Sequence, residues 1–146
     1  SCALKFNCEI TLPPWESKYV DRLKLSSKES DMYSKLIEDV LNLYDEGKWK
    51  IINRLLGHPD VIQNEMQLEC QLVSNGIYCG DARGYKDPRR KRLEAGSEDW
   101  RLLLQIDSVE DAGMMWGDSG RIYYWIRRQD LEKLNFEGVW MILQCY

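Results

Sequence analysis

Trp100–Asp107 (WRLLLQID), residues 121–126 (RIYYWI) and residues 139–144 (VWMILQ) are the three runs on which a reading of the fold turns. Each is short, rich in aromatic and aliphatic side chains, and bounded by turn formers, which is how strands read in a sequence. Residues 129–134 between the last two suit a short helix. Strands separated by loops, without a regular alternation of strand and helix, predict an α+β fold. We expect a mostly antiparallel sheet, one longer N-terminal helix and one or two short helices.

Working outward from these strands, residues 66–73 (MQLECQLV) place Met66, Leu68, Cys70 and Leu72 on one side of an alternating pattern, so a fourth strand is expected there. Asn75-Gly76 is a hairpin signal, and residues 77–79 would return as its partner. The intervening stretch 80–99 holds Gly80, Gly84, Pro88 and Gly96 and reads as loop with a turn of helix from Asp87. Further upstream, Met32, Tyr33, Leu36, Ile37, Val40, Leu41 and Tyr44 recur at intervals of three and four. They predict a helix capped by Ser26 or Ser27, with Glu29 in its first turn and Gly47 closing it. Its wide apolar stripe is expected to face the core. Residues 4–11 alternate loosely and end at Pro13-Pro14, as a short strand or extended arm would. Trp15, Tyr19, Val20, Leu23 and Leu25 follow with no clear period.

At 146 residues, 44% of them hydrophobic and 30% charged, the chain suits one packed domain. Six Trp and eight Tyr against two Phe mean that most large rings carry a polar tip. A net charge of −4 argues against a phosphate-backbone ligand. The one basic run, Arg83, Lys86, Arg89, Arg90, Lys91 and Arg92, is followed at once by Glu94, Glu98 and Asp99 and reads as a solvated, partly self-compensated segment. Five cysteines (Cys2, Cys8, Cys70, Cys79, Cys145) at irregular spacing make no disulfide framework. With no signal-peptide pattern and no membrane-length apolar run, a reducing cytoplasm is expected.

The motifs of common chemistries are weak or missing. Residues 105–120 gather acids and glycines as a calcium loop would, but Val109, Ala112 and Asp118 break the EF-hand pattern. One histidine, His58, leaves one possible base for a thiol nucleophile, and its place between Gly57 and Pro59 suggests local packing. No C-x-x-C pair supports zinc. Glu69 and Asp107, if both lay on neighbouring strands, would form a carboxylate pair for acid–base work.

Longer runs carry a resemblance. Residues 68–81 (LECQLVSNGIYCGD), 99–108 (DWRLLLQIDS), 114–126 (MMWGDSGRIYYWI) and 139–146 (VWMILQCY), with Gly57, Pro59 and Gln63 spaced as G-x-P-x-x-x-Q, resemble the YwqG-like proteins, or DUF1963, a domain of unknown function. The resemblance covers the chain from about Leu55 to the end. It implies a strand-rich α+β fold and no particular reaction. Its members are commonly longer, so it also implies a C-terminal portion with apolar surface left to cover, and self-association as a consequence.

The reading that follows is a noncatalytic binding or protein-interaction module. Its surface is expected to be built from Tyr78, Asp81, Trp116, Asp118, Tyr124 and Trp125, with Gln71, Gln105 and Asp107 as polar anchors. No cofactor and no metal is expected, and the partner is a protein or small molecule rather than nucleic acid or membrane. The alternatives are a hydrolase using Glu69, Asp107 or Asp118, and an inhibitor- or immunity-like protein that masks a basic partner.

Overall fold

The computed structural model describes residues 4–41, 44–45 and 48–146. In chain order the elements are α1 (Lys18–Asp21), α2 (Ser27–Leu41), β1 (Tyr44–Asp45), β2 (Lys48–Trp49), β3 (Arg54–Leu55), α3 (Gln67–Val73), α4 (Arg90–Leu93), β4 (Trp100–Asp107), β5 (Arg121–Arg127), α5 (Arg128–Glu132) and β6 (Trp140–Gln144). Strands β1 and β2 pair with each other, and β3-β4-β5-β6 form an antiparallel sheet in that order. The α+β class and the antiparallel sheet are as the sequence predicts, and short helices are more numerous than expected. Residues 4–14 carry neither helix nor strand.

Residues 66–73 do not form a strand. Gln67–Val73 is helical, because the same eight residues also place Met66 and Cys70 four apart on one face, and both are fully buried against the sheet. Asn75-Gly76 then ends this helix instead of turning a hairpin. Ile77 N–H donates to Leu72 O at 3.1 Å and Gly76 N–H to Val73 O at 3.0 Å, the two bonds of a Schellman motif, with Gly76 at φ +73°. A left-handed glycine serves a hairpin and a helix terminus equally, so the dipeptide alone could not choose. Residues 77–79 accordingly form no strand. The stretch 80–99 is wound into two 3-10 turns and α4, and it packs on α3 through Tyr85, whose hydroxyl donates to Glu69 Oε2 at 3.2 Å.

Helix α2 begins where the sequence places it. Ser26 and Glu29 make a reciprocal capping box, Ser26 N–H donating to Glu29 Oε2 at 2.8 Å and Glu29 N–H to Ser26 Oγ at 3.5 Å. The capping bonds pull the Glu29 carboxyl below its usual pKa. The stripe, however, does not enter the core: Met32 remains 62% and Val40 38% exposed. Tyr33 docks, its hydroxyl donating to Pro13 O at 2.7 Å and its ring edge-on to Trp15 at 5.2 Å, and Ile37 is half-buried. The physical reason is that the inner sheet face is already covered by α3 and residues 52–66. Tyr44 lies beyond the helix in β1, and Gly47 and Cys2 lie outside the described residues.

A polar layer holds that cover in place. Gln105 of β4 is fully buried; its Nε2 donates to Ile52 O at 2.8 Å and its Oε1 accepts from Asp60 N–H at 2.9 Å. Asp107 accepts from Ile52 N–H at 2.9 Å and Ser108 N–H at 3.0 Å, while its own N–H donates to Asn53 Oδ1. Gln144 of β6 accepts from Ile62 and Gln63 N–H, both at 3.1 Å, and donates to Asn64 O at 2.8 Å. Between them, Arg121 pairs with the Asp60 carboxylate, and its Nε stands 3.1 Å from Asp107 Oδ1 at an angle too oblique for a hydrogen bond. Burial pushes the Arg121 guanidinium down, but the charges of Asp60 and Asp107 outweigh it and hold the pKa above normal. The apolar core, Met66, Cys70, Trp100, Leu102, Tyr123, Trp125 and Ile142, continues this layer along the same face.

Two stability outcomes follow. Gln105→Leu strands the Asp60 N–H and the Ile52 carbonyl, so urea unfolding should show a loss of roughly 2–4 kcal/mol. Leu36→Lys, on the uncovered stripe of α2, should change stability by no more than about 0.5 kcal/mol, whereas Leu102→Ala in the core should cost about 2–5 kcal/mol.

Candidate functional site

The hollow that this arrangement leaves lies at the end of the sheet where β4 starts. It has a volume of about 430 Å³, within the range of ordinary ligand clefts. One wall is the segment Pro13-Pro14 to Tyr19, the second is the turn Gly57-His58-Pro59, and the floor is Trp100, Leu102 and Trp125 with Met66. Three features fix the turn. Gly57 sits at φ +79°, and a Cβ there would meet Thr11 Oγ1 at 2.6 Å, so both backbone conformation and space require glycine. His58 N–H donates to that same Thr11 Oγ1 at 2.9 Å. Arg54, buried beside Glu9, donates from Nη1 to His58 O at 2.8 Å.

The first wall is fixed by a cap. Ser17 starts α1 and its Oγ accepts from Tyr19 N–H at 3.0 Å, while Lys18 N–H donates to Glu65 Oε1 at 3.3 Å. These bonds bring the Tyr19 ring edge-on to His58, 5.8 Å between centroids. The floor is held from behind by α3: Gln67 Nε2 donates to Trp100 O at 2.9 Å, and one turn later Gln71 Oε1 accepts from Trp100 Nε1–H at 3.0 Å. Arg101 is anchored through Nη1 to Glu98 O and Trp100 O.

Burial, reinforced by the charges of Arg101 and Arg54, lowers the His58 pKa, so the imidazole is neutral at neutral pH. Burial raises the Glu65 carboxyl, against the pull of the Lys18 N–H and charge. Among the described residues, no hydrogen bond joins the His58 ring to a hydroxyl, thiol or carboxylate. Cys70 is fully buried and its thiol pKa is driven far up by burial and by Glu69. Trp125 is 2% exposed, and its buried Nε1–H has no acceptor among the described residues.

The sequence-predicted site residues do not share one surface. Trp125 lines the cleft, and Gln71 stands behind Trp100. Gln105 and Asp107 belong to the buried polar layer, where they bind the protein's own backbone. Trp116 is half-buried and donates from Nε1 to Asp107 O at 3.1 Å; Asp118 is exposed nearby. Tyr124 lies on the opposite sheet face from Trp125. Tyr78 is 73% exposed, and Asp81 is paired with Arg83. Glu69 sits on a helix rather than on a strand beside Asp107, and burial raises its carboxyl despite the bond from Tyr85. The cleft residues that sequence reading passed over are Tyr19, Glu65, Trp100 and Arg101. The available signal was Gly57-His58-Pro59, an aperiodic break that carries the chain's one histidine.

Residues 3–145 match the model of a domain of unknown function, DUF1963. The chain belongs to this family. The match extends through the segment before Leu55, where motif resemblance had stopped, so both walls of the cleft lie within the DUF1963 domain. No curated protein matches the chain. The G-x-P-x-x-x-Q element acquires a structural meaning in this DUF1963 member. Gly57 permits the turn, Pro59 lines the cleft, and Gln63 Nε2 donates to Cys145 O at 2.7 Å, tying the segment to the end of the chain. Among the described residues there is no helix long and apolar enough to cross a membrane and no cluster of three metal-ligating side chains.

The lowered His58 pKa carries a pH dependence. As pH falls through the unfolded value near 6.5 toward the lower folded one, the unfolded chain takes up a proton that the folded chain refuses, so this part of the stability is lost with acidification. Melting curves between pH 7.5 and 5.5 should show that loss in the wild type relative to His58→Asn, which lacks the titrating group.

Proposed function

We propose that this DUF1963 domain is a noncatalytic binding module whose cleft receives a small organic ligand. The observation that carries the reading is the composition of the hollow: Tyr19, His58, Trp100 and Trp125 are contributed from widely separated parts of the chain to one concavity. Such ring-walled concavities with a few polar groups are how proteins hold small ligands. Two further facts support binding over catalysis. Among the described residues, the cleft's histidine is bonded to neither a nucleophile that it would activate nor a carboxylate that would orient it, which hydrolytic sites of that kind require. Asp107, one of the three candidate carboxylates in the hydrolase alternative, already accepts two backbone N–H bonds and faces Arg121.

The test is a thermal-shift screen of a library of small ring compounds against the wild type and against Val61→Trp, which puts an indole into the hollow beside the core. A compound held at a hundredfold excess over its Kd should stabilise the wild type by about 2.7 kcal/mol and leave the filled variant unmoved. Compounds that stabilise both proteins equally, with Val61→Trp folded by circular dichroism, would place the binding elsewhere. A library with no stabilising member would remove the reading altogether.

A further inference from the structure

We infer that β6 is a self-pairing edge: two copies of this chain join antiparallel through Trp140–Gln144 about a two-fold axis at Ile142, so that their four-stranded sheets become one. The inference is independent of the cleft, none of whose lining residues belongs to β6. An edge strand carries a row of backbone N–H and C=O groups ready to pair with another chain, and proteins protect such rows by shortness, charge, proline, a bulge or a cover. The β3 edge is protected, being two residues long with Arg54 as one of them. Strand β6 lacks these devices. It is five residues long, WMILQ, without charge or proline, it meets β5 in unbroken register, and among the described residues no strand lies beyond it. No charged side chain occurs over residues 138–146, in a chain 30% charged, so the absence of gatekeepers extends past the strand itself.

The side chains favour a second copy as the occupant. Trp140, Met141 and Leu143 are 39%, 49% and 46% exposed, so each has apolar surface still to lose. Met141 and Leu143 end the outer-face rows Leu104-Tyr124-Met141 and Ile106-Ile122-Leu143, while Trp140, Ile142 and Gln144 lie on the covered face. A two-fold axis perpendicular to the sheet keeps each face with its like. Because side chains alternate, a register displaced by one residue would set outer-face side chains against covered-face ones. Of the registers that remain, the one centred on Ile142 engages all five residues of both strands. It sets Met141 against Leu143 of the second copy, Ile142 against Ile142, and Trp140 against Gln144. No pair brings like charges together, and the apolar outer rows run on from one sheet into the next. A foreign strand would have to match this alternation, whereas a second copy supplies it by symmetry. Two five-residue strands bury less than the roughly 1,200–2,000 Å² of a tight complex, so the expected dissociation constant is about 10–100 µM.

Sedimentation equilibrium of the wild type should show the 17.2 kDa monomer at about 1 µM and a mass approaching twice that at about 1 mM. Two double variants read the register. In Met141→Lys/Leu143→Lys, lysine meets lysine at both outer-face pairs, and dimerisation should weaken at least about tenfold. In Met141→Lys/Leu143→Glu, each lysine meets the other copy's glutamate, and affinity should return to within about threefold of the wild type. Leu36→Lys, on the exposed stripe of α2, should leave dimerisation unchanged. Circular dichroism checks that each variant is folded. Without any variant, amide exchange at residues 140–144 should slow when the wild type is concentrated, while exchange in α2 should not.

A wild type that stays at 17.2 kDa at about 1 mM would overturn the inference and leave the edge to a strand of a different protein. So would a dimer that survives in the lysine–lysine variant, or one that the lysine–glutamate variant fails to restore, because a dimer formed through α2 or through stacked sheet faces has no reason to follow that pairing. Where neither double variant folds, a wild-type dimer whose residues 140–144 exchange as fast as in the monomer overturns it equally.

Discussion

The side-chain amides of Gln105 and Gln144 and the carboxylate of Asp107, all projecting from the covered face of the sheet, bind the backbone of residues 52–64 much as a neighbouring strand would. Everything else in the molecule depends on this contact. Residues 52–64 are largely irregular, and irregular backbone can be buried only if each of its N–H and C=O groups finds a partner. Strands β4 and β6 supply those partners from fixed positions, and Arg121 of β5 stands between Asp60 of the segment and Asp107 of β4. A shift of the segment by one residue would unpair several buried groups at once. The layer therefore sets the segment's register, and through it the position of Gly57-His58-Pro59 and the start of α3.

This arrangement departs from the usual patterning of an antiparallel sheet at one end of its covered face, while Trp100, Leu102, Tyr123, Trp125 and Ile142 keep the other end apolar. The covered face carries Arg54, Gln105, Asp107, Arg121 and Gln144, while the cross-strand rows Leu55-Leu104-Tyr124-Met141 and Ile106-Ile122-Leu143 lie on the other face. Met141 at the open edge is 49% exposed. The usual rule, with apolar residues inward and polar residues outward, misassigns these five positions, because the polar residues are consumed by an irregular segment rather than by water. The same circumstance leaves the α2 stripe uncovered: the face that the helix would have met is filled.

The cleft is an extension of the core rather than an addition to its surface. Trp100 and Trp125 belong both to the packed cluster and to the floor of the hollow, and the glutamines of α3 that orient Trp100 lie one turn apart on a helix anchored by Met66 and Cys70. A site of this kind is rigid, since its floor cannot move without disturbing close packing. Its rim is different in kind. Tyr19 is held by the cap bond to Ser17 and His58 by two bonds through its backbone, and their rings meet edge-on, so the rim is less closely packed than the floor.

Periodicity and turn chemistry determined the α+β class, the strands β4, β5 and β6, the short helix after β5 and the start of α2 at its capping box, because these features are local and long enough for one period to prevail. The family was legible too, through literal motifs from Gly57 onward. The tertiary structure alone decided whether MQLECQLV was strand or helix, since eight residues fit both periods and only the sheet beneath them, with Trp100 to be clamped, distinguishes the two. It alone decided which polar residues were structural: Gln105 and Asp107 look like anchors for a ligand until the backbone of residues 52–64 is seen to occupy them. The cleft was illegible for the same reason. Its walls come from residues 13–19, 57–67, 100–102 and 125, and a hollow formed between segments that distant leaves no pattern in the order of residues along any one of them.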